Sequence, residues 1–104
     1  MEIQVLYTTL PDKESALHMQ HALVESRLVA CANIFEVNSC NSWKGNIENN
    51  GEWAILFKTL IHKADAASLK IEFFHPYEVP CIGRWTMVVN KSYYKWVVAQ
   101  IQIT

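Results

Sequence analysis

His75 and Cys81 are the residues of this chain best suited to holding a metal ion. His75 stands at the end of an expected helix, directly before Pro76. A partly exposed imidazole there can reach a ligand, and imidazole suits copper and zinc. The same position also suits a C-cap, with the ring bonding the last helix carbonyls. Cys81 follows six positions later, just beyond Pro80. A thiolate is a soft ligand and favours Cu(I), so copper is the divalent or monovalent ion this pair suits best. One imidazole and one thiol are too few for a closed site, and a neighbouring chain would have to supply the rest.

Lys58 is the most informative charge. It interrupts an otherwise apolar strand, and a lysine on a buried strand face needs a counter-charge or a cleft. Glu78, Glu52 or an anionic ligand could supply it. One reading is a structural ion pair at a subunit boundary. The other is a cleft between subunits, lined by Lys58, Tyr77 and Glu78, that takes a small anion. Cys31 reads as a small buried hydrophobe within a strand, and Cys40 as incidental. His18 and His21 lie three apart on one helix, a spacing that can hold a metal, but no third ligand accompanies them. There is no nucleophile–base pair, no recognisable carboxylate pair and no Gly-rich phosphate loop, so the chain reads as a non-enzyme.

These residues need elements to place them. Ile3–Thr9 reads as a first strand. A helix follows from Pro11 or Asp12, with Ala16, Met19 and Leu23 as its stripe. Val29–Val37 reads as a strand that weakens toward Trp43. Lys44-Gly45-Asn46 is a turn, and Glu48–Gly51 is a second turn-rich patch. Glu52–Ile61 is a strand with Trp53, Ile55 and Phe57 on one face. His62–Phe74 is a helix with Ala66, Leu69 and Phe73 at helical spacing, stopped by Pro76. Cys81–Val89 is the last long strand, and Tyr93–Ile103 fits either a helix or a strand, the preferred reading being a short helix that begins near Ser92.

Two strand–helix–strand units in succession predict an α+β chain. The expected fold is a ferredoxin-like split β-α-β (βαββαβ) with four antiparallel strands and both helices on one face. That arrangement leaves the other face bare, and Trp53, Ile55 and Phe57 or their neighbours are expected on it. The 104 residues form one domain, 1–104. At 51% hydrophobic and 18% charged, the chain is no disordered segment. No apolar run approaches the roughly 18 residues of a membrane helix. The net charge of −1 speaks against nucleic acid, and the aromatic face of an RNA binder would need basic support. No secretory signal is visible, so the cytoplasm is the expected compartment. Three cysteines without CxxC spacing are expected to be reduced. Four tryptophans are many for so small a core, and part of that apolar surface is expected to face a partner chain.

Three segments together resemble the CutA family of divalent-cation tolerance proteins. They are Leu28-Val29-Ala30-Cys31-Ala32-Asn33-Ile34; Trp43-Lys44-Gly45-Asn46-Ile47 with Glu52 and Phe57-Lys58-Thr59; and His75-Pro76-Tyr77-Glu78-Val79-Pro80 with Tyr93 and Trp96. The resemblance implies a homotrimer, similar in plan to PII signalling proteins, whose bare sheet faces pack around a three-fold axis. It implies a role in tolerance to copper and other divalent ions, and no reaction. Cys31 joins Lys58, Tyr77 and Glu78 as a cleft residue, while Trp43 and Trp53 become subunit contacts. The chain departs from the family at Cys81, where an acidic residue is usual, and carries Tyr7 and Phe74 where some members have further metal-site residues. A PII-like sensor of a small anionic metabolite is the alternative function.

Overall fold

A computed structural model describes residues 1–102. Strand β1 (Glu2–Leu10) leads through α1 (Lys13–Glu25) to β2 (Cys31–Trp43). Strand β3 (Asn46–Thr59) then leads through α2 (Ile61–Phe74) to β4 (Gly83–Val88), and α3 (Lys91–Ile101) follows. The sheet order is β2-β3-β1-β4, with every neighbouring pair antiparallel. β1 and β2 are therefore parallel to each other, as are β3 and β4, and the two crossovers interleave. This is the ferredoxin-like α+β arrangement that the order of elements implied.

Asp12 starts α1 by accepting the Ser15 backbone N–H at 2.7 Å, which satisfies one of the helix's orphan donors. That backbone bond, followed by the Ser15 hydroxyl, holds the Asp12 carboxyl below its ordinary pKa. The expected stripe Ala16, Met19 and Leu23 is buried against the sheet. It meets Leu6, Leu10, Ile55 and Phe57, together with Ala67 and Ile71 of α2.

The second helix buries a different face from the one its sequence suggested. Ala64, Ala67 and Ile71 point inward, while Leu69 is 67% and Phe73 82% exposed. Two stripes compete on this helix. The one with small residues lets the helix approach α1 and the sheet closely, so the larger one is left outside.

Two strand readings and one helix boundary also change. Glu48–Gly51 is no turn: these residues pair with Asn41, Cys40, Ser39 and Asn38 as part of β3. The single reversal is at Lys44 and Gly45, with φ of +50° and +84°. Two positive φ values in succession match the hairpin turn whose twist suits flanking strands. Once that turn is closed, each of these residues pairs across the ladder with β2, and the inter-strand hydrogen bonds override the turn preference of Asn and Gly side chains. Cys81 precedes the last strand rather than opening it. The C-terminal helix starts slightly earlier than expected, at Lys91, and its expected end at Ile103 lies outside the described residues.

Trp53, Ile55 and Phe57 lie on the helix side, not the bare side. Trp53 packs against the helix-side core, with Lys13 Nζ 5.4 Å from its ring. The opposite face carries Ala54, Leu56 and Lys58, and is not wholly bare. Val97 and Ile101 of α3 pack there with Ile3, Met87 and Tyr93. Beyond α3 this face leaves Phe35 41% and Trp85 45% exposed. The distal hairpin arm projects from the body, giving extents of 48 × 23 × 20 Å. The radius of gyration is 14.5 Å, against about 13 Å for a compact chain of this length.

Candidate functional site

The arm and the α2–β4 connection enclose a cleft of about 340 Å³. Asn41, Trp43, Glu48, Asn50 and Glu52 come from the arm, and Pro76, Tyr77, Glu78 and Val79 from the connection. By strand alternation the five arm residues share one face, the face opposite the helices. Three glutamates and no lysine or arginine line this space. It is built to receive positive charge or hydrogen-bond donors.

The connection is held in place by hydrogen bonds to the end of β1. β4 stops pairing at Tyr7, so Thr8–Leu10 lack a strand on that side. His75 Nε2 lies 2.9 Å from the Thr9 carbonyl oxygen and 3.0 Å from Thr8 Oγ1. The Tyr77 backbone N–H donates to His75 Nδ1 at 3.2 Å, and the two rings sit 4.9 Å apart. The Tyr77 phenol donates to Glu52 Oε2 at 2.5 Å.

This network sets the electrostatics. Burial is the largest influence on Glu52 and by itself would raise its pKa. Hydrogen bonds from Ser39, Tyr77 and Thr9, with the nearby His75, outweigh it and keep the carboxylate ionised below the usual range. Burial pulls the His75 pKa down, against the opposing pull of the Thr9 bond and Glu52. Burial first, and then Glu52, push the Tyr77 phenol well above the ordinary tyrosine range.

Tyr77 and Glu78 line this cleft within the protomer, and Trp43 joins them. Lys58 and Cys31 do not. They face each other across β3 and β2, where Lys58 Nζ lies 5.6 Å from the Tyr93 ring and the Tyr93 hydroxyl donates to Cys31 Sγ at 3.6 Å. Burial, followed by that thiol contact, raises the Tyr93 pKa to about 12. Six residue steps along the strand, about 20 Å, separate Lys58 from Glu52 within the protomer. The expected pairing of Lys58 with Glu52 or Glu78 is absent among the described residues, whose ion pairs are His21–Glu25 and Arg84–Asp65.

The proposed metal pair fares unevenly. Cys81 is exposed on the connection, outside the cleft lining. His75 has both ring nitrogens engaged by the protein, so in this arrangement its imidazole offers no lone pair to a metal. The ring also does not bond the helix carbonyls, as a C-capping side chain would. Among the described residues no three His, Cys, Asp or Glu side chains are grouped to hold a metal ion. His18 packs edge-on to Phe74 at 6.0 Å while His21 pairs with Glu25, so the two helix histidines are spent separately. Sequence reasoning missed Thr8, Thr9 and Glu48, and treated Glu52 only as a partner for Lys58. Nothing in the local pattern at Thr8 and Thr9 marks them, because they matter only where a strand loses its neighbour.

No helix among the described residues is long and apolar enough to cross a membrane. The sequence profile described as CutA1 divalent ion tolerance protein matches residues 4–100. A divalent-cation tolerance protein CutA of Thermotoga maritima is 42% identical over 78 residues, covering 75% of this chain and 77% of that protein. The crystal structure of the divalent ion tolerance protein CutA1 from Ehrlichia chaffeensis superposes with a TM-score of 0.93 at 37% identity, covering 97% of this chain and 96% of the other. The structure of the periplasmic divalent cation tolerance protein CutA from Archaeoglobus fulgidus gives 0.91 at 30% identity, covering 98% and 100%.

Proposed function

This chain belongs to the CutA1 divalent ion tolerance protein family, and on that premise we propose that it serves divalent-cation tolerance as a homotrimer, without catalysing a reaction. The ion is its cargo and is taken at an inter-subunit cleft. The observation that carries this reading is the Glu48–Glu52–Glu78 lining, which draws cations into a space walled by Trp43 and Tyr77. One protomer does not by itself fit a closed metal centre, so the reading has a neighbouring subunit complete the ligand set. Copper is the ion proposed, because the exposed Cys81 thiol stands on the same connection as Tyr77 and Glu78. The projecting arm and the exposed Phe35 and Trp85 support assembly, since apolar surface of this kind marks interfaces. In this reading the protein acts in the cytoplasm.

Isothermal titration of the assembled protein with Cu(II), Cu(I) and Zn(II) tests the binding. Heat that falls in Glu52→Gln and Cys81→Ser supports it; no heat with any ion removes it. A monomer mass by light scattering at micromolar concentration would overturn the trimer.

A second reading, a sensor for a small anionic metabolite, is supported by Lys58. Its ammonium has no carboxylate within 4.0 Å among the described residues. A ligand-induced thermal shift that survives chelator and vanishes in Lys58→Ala would favour it over the cation reading.

A further inference from the structure

The residue with the strongest claim to bind metal in the sequence is placed where it does something else. We infer that His75 is a positioning residue for the cleft: a neutral imidazole in its Nε2–H form, latching the connection Pro76–Ile82 onto the open end of β1. The tautomer follows from the two partners that have a single hydrogen-bonding role; the Thr8 hydroxyl, 3.0 Å from Nε2, can play either role and adapts to them. The Thr9 carbonyl can only accept, so Nε2 must carry the proton. The Tyr77 backbone N–H can only donate, so Nδ1 must present its lone pair. Neither an imidazolium nor the opposite tautomer satisfies both contacts. Burial, which disfavours the charged ring, works in the same direction.

The latch has a consequence for the cleft. Nδ1 takes the amide two residues on in its own chain, which constrains the backbone through Pro76. That constraint aims the Tyr77 phenol at Glu52. Pro76, Tyr77, Glu78 and Val79, all downstream of the latch, make one wall of the cleft. A metal drawn to Nδ1 would displace the Tyr77 amide and release that wall. The inference concerns the cleft used by the proposed function, but it is read on the imidazole itself and stands or falls whether or not an ion binds.

The test is long-range ¹H–¹⁵N correlation on the assembled, histidine-labelled protein at neutral pH, with the His75 signals assigned by their absence in His75→Asn. The expected pattern is a neutral Nε2–H imidazole that does not change when Zn(II) is added. An Nδ1–H tautomer, an imidazolium, or an Nδ1 signal that moves with Zn(II) would overturn the inference. Absence of zinc binding would count against the metal reading alone. The second readout is the phenol titration of Tyr77, followed by ¹³Cζ. His75→Asn, which keeps an acceptor near the Nδ1 position, should leave Tyr77 titrating above the ordinary range, while His75→Ala should bring it back. An Asn variant indistinguishable from the Ala variant would remove the latch. The wild-type spectrum carries the first readout, so a variant that fails to fold leaves the inference decidable.

Discussion

Removing the Tyr77 hydroxyl from Glu52 is the most direct perturbation of the cleft. The bond is short and reaches an ionised acceptor, and both residues are half-buried. Hydrogen bonds to charged groups contribute about 1.5–3 kcal/mol. Water reaches both groups, so the lower end applies, about 1.5 kcal/mol. Single variants mix this with other effects, because Glu52 also receives Ser39 and Thr9. A double-mutant cycle with Tyr77→Phe and Glu52→Gln isolates the pair. Urea unfolding at one fixed protein concentration is the assay, since association would otherwise shift the midpoint. At a slope of about 2 kcal/mol/M, the coupling is equivalent to about 0.75 M of urea midpoint.

The pH dependence of the cycle is a second check. Glu52 has a folded-state pKa below its unfolded value near 4.5. Its contribution is therefore fully present above that value and is lost as pH falls through the depressed folded value. The coupling should hold from neutrality down to about pH 4.5 and then decline. A neutral-pH coupling below about 0.3 kcal/mol, within the ordinary error of additivity, would refute the argument.

Other outcomes follow from the packing. Phe57→Ala empties the centre of the helix-side core and should lower stability by about 3–5 kcal/mol, read as a fall in Tm of well over 10 °C. Leu69→Ser and Phe73→Ser should change stability by less than about 0.5 kcal/mol, because α2 turns these side chains outward. A loss of more than about 2 kcal/mol would mean that the sequence stripe, not the alanine stripe, is buried. Iodoacetamide followed by mass spectrometry should label exposed Cys40 and Cys81 before half-buried Cys31. Earlier labelling of Cys31 would contradict its cover by Tyr93.

The sequence by itself determined the order of the elements, the split β-α-β plan and the inward stripe of α1. These depend on local period, caps and chain breaks, which neighbouring residues decide together. The family resemblance put His75, Tyr77 and Glu78 in one segment, while their residue types alone assigned them to separate metal and anion sites. The sequence could not decide which of two apolar stripes α2 would bury, since that depended on the backbone separation small residues allow. Nor could it show that Glu48–Gly51 continues a strand, because their partners lie across the hairpin.

The site was decided almost entirely by tertiary structure. Lys58 and Glu52 sit on one face of one strand and looked like partners, but the rise of that strand keeps them about 20 Å apart. Thr9 and His75 are distant in sequence and meet because β4 stops short of the end of β1. A metal-competent residue type is visible in any sequence. Whether its lone pair is available is settled by the groups that the fold brings to each nitrogen, and at His75 those groups are a carbonyl and an amide of the protein itself.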